Sequence, residues 1–141
     1  MKKLYLIGSL RNEEIPSIAN RLRKLGFDVF DDWYSPGPHA DEEWKNYEMR
    51  RGRTYLQSLK GFHAQHVFDF DKRHLDSSDF CVLILPAGKS GHLELGYMKG
   101  LGRKCYILLE KDADRWDIMY KFVDGVYDNI EDLEKTLLEL I

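Results

Sequence analysis

The sequence predicts an α/β protein, a three-layer sandwich built on a mostly parallel, flavodoxin-like or Rossmann-like sheet of four to five strands. Three observations predict it. Phe80–Leu85 is an uninterrupted apolar run between Asp79 and Pro86. A short run that is apolar on both faces reads as a strand buried in a parallel sheet. Pro86–Gly91 then breaks the pattern as a loop, and a helical pattern follows with Leu93, Tyr97 and Leu101 on one face. The same succession of strand, loop and helix recurs along the chain, as repeated βαβ units require.

Taken in order, Lys3–Ile7 is the first strand, ending at Gly8-Ser9, where glycine lets a ligand approach the backbone. Ile15, Ile18, Ala19, Leu22 and Leu25 recur at helical spacing until Gly26. Phe27–Phe30 is a second short strand, and the helical crossover implies parallel pairing with a right-handed connection. Asp31–His39, with Pro36, Gly37 and Pro38, reads as an irregular loop. Asp41 reads as the N-cap of one long helix through Leu59. Trp44, Tyr47, Arg51, Tyr55 and Leu59 fall near one face of it, either partly exposed or turned toward a second subunit. Gly61 ends it, and a helix over His63–Ser77 carries Val67, Phe70 and Leu75 into the central strand. Ser90 is the expected N-cap of the helix after that strand. Lys104–Leu109 is another strand, Lys111–Tyr120 is polar with a short helix, and Gly125–Tyr127 is a short edge strand. Asn129 caps a final helix with Leu133, Leu137, Leu138 and Ile141 on one face.

A chain of 141 residues forms one domain, residues 1–141, with a proper core. Its 43% apolar and 32% charged residues are ordinary for a soluble globular protein. A net charge of −3 carries no electrostatic footprint for nucleic acid. No run has the length of a membrane span, and Met-Lys-Lys-Leu-Tyr leads at once into a strand rather than a signal peptide, so a cytoplasmic location is expected. Cys81 and Cys105 fall in buried strands and read as core residues with free thiols.

Ligands of open α/β sheets bind at the carboxyl ends of the strands. Glu94, early in the helix after the central strand, sits where the dipole favours an ionised carboxylate. It is a candidate nucleophile, or simply a helix-start glutamate. Asp71 is either a site acid or a solvated member of the charged run Asp69–Arg73, and Tyr5 is either a site residue or a core tyrosine. Trp33 and Tyr34 suit stacking on a nucleobase, or cap the core. Ser9, Arg11, Lys89 and Ser90 combine hydroxyls and cations near a helix N-terminus, a composition suited to an anion. His63 and His66, with His74 and Asp69 nearby, do not amount to the three or four converging ligands of a zinc site, and neither metal nor cofactor is expected.

Three segments carry a family resemblance. Ser90–Tyr97, reading Ser-Gly-His-Leu-Glu-Leu-Gly-Tyr, resembles the Gly-x-x-x-Glu-[Leu/Ile]-Gly segment of the nucleoside 2-deoxyribosyltransferase family, which includes the 2'-deoxynucleoside 5'-monophosphate N-glycosidases. Leu4–Arg11 resembles the family's first strand and loop, in the Gly-Ser-[Ile/Leu]-Arg form of the monophosphate glycosidases. Asp71–Leu75, followed by Ser78-Asp79, resembles the Asp-x-x-x-[Leu/Ile] segment ahead of the central strand. The three occur in family order. The chain departs from the family at Gly88, where transferases often carry aspartate and the monophosphate glycosidases serine.

The resemblance implies a flavodoxin-like enzyme that cleaves the N-glycosidic bond of 2'-deoxyribonucleosides. It implies Glu94 as nucleophile, Asp71 as second catalytic carboxylate and Tyr5 as the residue orienting Glu94. Gly8, Ser9, Arg11, Trp33, Gly88, Lys89, Ser90 and Gly91 are the expected substrate contacts. The sugar would pass through a covalent bond to Glu94 and on to another nucleobase, or to water. The alternatives are a hydrolase of deoxynucleoside 5'-monophosphates and a nucleotide-binding sensor without turnover. The partners expected are a small deoxynucleoside or deoxynucleotide, a free base and further copies in a homo-oligomer, with neither nucleic acid nor membrane.

Overall fold

A computed structural model describes Met1–Ile141. Five strands form one all-parallel sheet: β1 (Lys3–Ile7), β2 (Asp28–Phe30), β3 (Phe80–Ile84), β4 (Lys104–Leu108) and β5 (Gly125–Tyr127), in the spatial order β2-β1-β3-β4-β5. Six helices accompany them: α1 (Ile15–Lys24), α2 (Ala40–Arg50), α3 (Tyr55–Leu59), α4 (Phe62–Asp76), α5 (Lys89–Gly100) and α6 (Ile130–Leu138). The order reverses direction between β1 and β3, and that reversal is where flavodoxin-like sheets hold ligands.

Alternation along the strands builds two cores. Leu4, Leu6, Val29, Phe80, Val82, Ile84 and Tyr106 face α1 and α6. Tyr5, Ile7, Phe30, Cys81, Leu83, Cys105 and Ile107 face α4 and α5. Every residue of β3 is buried, as its two-sided apolar run requires. Cys81 and Cys105 are register neighbours, buried and free. No helix is long and apolar enough to cross a membrane.

Several expectations are corrected. The single helix from Asp41 to Leu59 is two helices. The N-cap of α2 is His39, with Asp41 in its first turn, and the helix stops at Arg50. Gly52 takes φ +75°, a left-handed conformation that glycine adopts without steric cost. Thr54 then opens α3 with a capping box: the Gln57 N–H donates to Thr54 Oγ1 at 3.1 Å, and the Thr54 N–H to Gln57 Oε1 at 3.0 Å. Glu48, buried at the end of α2, accepts from Arg51 at 2.9 Å and faces Arg53 at 3.5 Å, fastening the turn. The face carrying Trp44, Tyr47, Tyr55 and Leu59 is exposed, in line with the first of the two alternatives expected for it: Tyr47, Tyr55 and Leu59 are exposed and Trp44 is half-buried.

On α5 the core face is Gly91, Leu95 and Met98 rather than Leu93, Tyr97 and Leu101. Glycine at 91 brings the helix against Leu83 and Ile7, so the close side is the one that begins with it. The helix begins with Gly88 as N-cap, and Lys89 and Ser90 already lie in its first turn. In α6 the buried pair is Leu133 and Leu137, one turn apart, whereas Leu138 and Ile141 are exposed. Asn129 caps it as expected, accepting from the Asp132 N–H at 2.9 Å. The loop after β2 contains one 3-10 turn, Asp32–Tyr34, and the helical turn after β4 lies at Ile118–Phe122, overlapping only the end of the expected Lys111–Tyr120 segment.

Candidate active site

Tyr5 is the third residue of β1, and its side chain points to the α4/α5 side of the sheet. It is fully buried among Phe30, Leu83 and Leu95, yet it carries a hydroxyl. A buried hydroxyl needs a partner. Tyr5 donates to Glu94 Oε2 at 2.9 Å, a contact between residues 89 positions apart. The bond joins β1 to the helix that follows β3, so it spans the point where the strand order reverses.

The electrostatics follow from burial. Loss of solvation raises the Glu94 carboxyl from 4.5 to about 7; the Tyr5 hydrogen bond opposes the rise and the nearby charge of Asp71 adds to it. Asp71, on α4, rises from 3.8 to about 6 through burial. Burial raises the Tyr5 phenol strongly, with further contributions from Glu94 and then Asp71, so it stays a donor throughout the useful pH range. The dipole effect expected at Glu94 is therefore overridden, and Glu94 lies six residues past the N-cap, beyond the first turn where that effect is strong. Two carboxyls raised toward neutrality by burial, with the charge of Asp71 felt at Glu94, can divide the roles of acid and nucleophile.

The remaining residues fall into two groups. Gly8, Ser9 and Arg11 follow β1. A side chain at Gly8 would meet Ile15 Cδ1 at 2.6 Å, so the glycine admits a close approach of α1. Ser9 Oγ accepts from the Arg11 N–H at 3.1 Å, folding the loop back on itself. The Arg11 side chain is exposed and joins no ion pair, and Lys89 and Ser90 are likewise exposed without side-chain partners. Asp31 is taken by Arg23 at 2.5 Å, so it does not neutralise Arg11. Gly88 is exposed, with open space where a side chain would stand. Its carbonyl accepts from His92, whose ring also bonds Tyr120.

Two candidates are held by packing. Trp33 is half-buried: its indole N–H donates to the Leu6 carbonyl at 2.7 Å, and its ring lies against both cores. Gly91 is buried against Leu83, Ile7 and Ala87, seating α5 on the sheet. His63 and His66 are exposed on α4, and His63 lies 6.5 Å from the Trp44 ring.

Sequence reasoning missed the aromatic support under Tyr5. Phe30, its register partner on β2, lies 5.0 Å away and carries His74 stacked at 3.9 Å and Phe70 at 5.7 Å. The signal was the aromatic residue ending the second strand, legible only once the register of β1 and β2 is known.

The whole chain shares its fold with two solved enzymes. A 2-deoxyribosyltransferase from the psychrotolerant bacterium Bacillus psychrosaccharolyticus superposes with a TM-score of 0.64 and 19% identity, over 96% of this chain and 95% of its own. The CMP N-glycosidase BcmB of Clostridium botulinum superposes with a TM-score of 0.57 and 14% identity, over 96% of this chain and 98% of its own. No family model and no curated protein matches the sequence. The shared fold is the one that the sequence resemblance implies.

Proposed function

We propose that this protein is an enzyme that cleaves the N-glycosidic bond of 2'-deoxynucleosides, with Glu94 as nucleophile and Asp71 as acid and base. The observation that carries the reading is the Tyr5–Glu94 hydrogen bond at the sheet's reversal point, with Asp71 close enough to disturb both groups. In the first step a Glu94 oxygen bonds to C1' of the sugar while the bond from C1' to the base nitrogen breaks. The base leaves with the electron pair and takes a proton from Asp71. Tyr5 holds the other face of the carboxylate in place. In the second step a water, or a second base, attacks C1' and gives its proton to Asp71, and Glu94 leaves as a carboxylate.

A second reading has its own support. Arg11, on the loop after β1, and Lys89, in the first turn of α5 after β3, are unpaired cations at one edge of an all-parallel sheet. In an acidic chain two such cations suit a 5'-phosphate, and the reading is then a deoxynucleoside 5'-monophosphate N-glycosidase. Incubation with a panel of deoxynucleosides and their 5'-monophosphates, followed by chromatography for free base, tests both readings. Base release by wild type and none by Glu94→Ala is the expected result; release by both would remove Glu94 from the mechanism. If the phosphate is bound, Arg11→Ala abolishes the preference for monophosphates, a loss of about 1.5–3 kcal/mol.

We propose further that the protein forms a homo-oligomer. Tyr55, Leu56 and Phe62 are 75%, 64% and 95% exposed around α3, an apolar surface that a second copy would cover. A monomer in sedimentation equilibrium at micromolar concentration would refute it.

A further inference from the structure

The first turn of α5 lacks the side-chain cap that usually closes a helix start. Its N-cap is Gly88, which has no side chain to accept from the free N–H groups there. His92 supplies the missing restraint from inside the helix. Its main-chain N–H donates to the Gly88 carbonyl at 3.3 Å, and its ring Nδ1 bonds the same oxygen at 2.8 Å. A carbonyl oxygen only accepts, so Nδ1 carries the proton and Nε2 is the acceptor. The Tyr120 hydroxyl, 2.8 Å away, donates to Nε2. Burial, and then the charges of Asp117 and Glu110, raises the Tyr120 phenol, which keeps it a donor. The two rings lie 15° from parallel, and Tyr120 packs on the core that faces α4 and α5. α5 is therefore moored on both flanks. Tyr5 holds Glu94 from β1, and Tyr120 holds His92 from the Ile118–Phe122 turn after β4. β1 and β4 are the two neighbours of β3, the strand that leads into the helix.

Resting on the N-glycosidic reaction proposed above, we infer that His92 is a positioning residue for substrate capture, set in place by Tyr120. It restrains Gly88 and, through it, Lys89 and Ser90. These three are exposed, and the Lys89 and Ser90 side chains have no partner of their own. An extended glycine ahead of a helix is free to move unless its backbone is held. With the Gly88 carbonyl fixed, the contacts at the entry of α5 are ordered before substrate arrives, and binding does not have to order them. The two moorings divide the work. Tyr5 holds the carboxyl that reacts, so it acts on turnover. His92 makes its hydrogen bonds to Gly88 and Tyr120 and none to Glu94 or Asp71, so it acts on capture. The connection between β4 and β5 holds none of the residues that react, yet through Tyr120 it contributes to substrate affinity.

The test is steady-state kinetics of wild type, Tyr120→Phe, His92→Ala, His92→Asn and the double variant of Tyr120→Phe with His92→Ala, on the deoxynucleosides or monophosphates that wild type cleaves. Circular dichroism checks that each variant is folded. Tyr120→Phe removes one hydroxyl and keeps the ring. It should raise KM about threefold to tenfold, the scale of one neutral hydrogen bond, with kcat within about twofold of wild type. His92→Ala should raise KM further. His92→Asn keeps a donor for the Gly88 carbonyl and loses the bond to Tyr120, so it should bring KM back to the Tyr120→Phe level. A histidine that only fills space would show no such rescue. Because Tyr120 acts through His92, adding Tyr120→Phe to His92→Ala should change KM by less than about twofold. If His92→Ala does not fold, Tyr120→Phe and His92→Asn decide the matter by the same KM criterion. Turnover with KM near wild type in these variants would overturn the inference alone, as would a full further loss in the double variant or a fall in kcat with KM unchanged. Absence of base release by wild type from every substrate would overturn the reaction and the inference together.

Discussion

Burial and chemistry pull against each other at Glu94. Its folded-state value, near 7, lies above the unfolded 4.5, so the folded protein holds that proton more tightly. The stabilisation is complete below the unfolded value and is lost as pH rises through the folded one. Glu94→Gln keeps an acceptor for Tyr5 and removes the buried charge. It should therefore melt a few degrees above wild type at pH 8, on the order of 1–2 kcal/mol after allowing for part exposure, and differ little at pH 4. Calorimetry at the two pH values checks it; equal melting shifts at both would show that the charge is not the cause. The Tyr5 hydrogen bond lowers the Glu94 value, so Tyr5→Phe should shift the rise of kcat/KM with pH to higher pH and cut the rate. In wild type the profile of kcat/KM should bend near 6 and near 7, where burial places the Asp71 and Glu94 carboxyls. Glu94, Asp71 and Tyr5 were all legible as candidates in the sequence. The near-neutral titration of the two carboxyls was not, because it depends on how α4 and α5 exclude water from around them.

Helix placement depends on single glycines. Gly91 sets the distance of α5 from the sheet: an added Cβ would lie 3.1 Å from Leu83 and 3.2 Å from Ile7. Gly91→Ala should lift the helix by a few tenths of an ångström, lower the melting temperature and cut base release more than tenfold, since small misplacements of a reacting group are costly. Wild-type turnover in that variant would show that the Glu94 position tolerates the shift. Gly52→Ala puts a side chain at φ +75° and should cost about 1 kcal/mol without touching the chemistry. The break it marks was legible: Gly52 followed by Thr54-x-x-Gln57 is a stop signal and then a capping box. An aromatic repeat running through it, Tyr47 to Tyr55, suggested continuity instead. On α5 the competing pattern of Leu93, Tyr97 and Leu101 outweighed Gly91, Leu95 and Met98 because glycine carries no apolar signal, although its smallness is what brings that face inward.

At the scale of the molecule, each strand was legible from its apolar run, and the short β5 from its aromatic and branched residues. The strand order was not. Nothing local in Lys3–Ile7 says that it pairs with both β2 and β3; that follows from which helices cover which face. The order nevertheless decides where Glu94 meets Tyr5. Charge distribution is a second property of the whole chain. With a net charge of −3, a phosphate approaching from afar is repelled, while Arg11 and Lys89 attract it at close range. If the 5'-monophosphates are the substrates, their kcat/KM should fall severalfold between 0.05 and 0.5 M salt, on the order expected for screening two cations. Deoxynucleosides, being neutral, should show a flat response. A flat response for both would leave Arg11 and Lys89 without a part in binding.

The hydrogen bond from Tyr5 ties the Glu94 carboxyl to a central strand whose neighbours lie on both sides. Thermal inactivation is then coupled to the most persistent part of the structure. Loss of the loops after β1 and β2 would weaken substrate capture, yet Glu94 would remain aligned until the sheet itself gives way. Activity at saturating substrate should accordingly persist on heating up to the cooperative melt, with KM drifting upward well before kcat collapses. By the same logic, lineages sharing this anchor could exchange the surrounding loops, and with them their ligands, without rebuilding the Tyr5–Glu94 contact.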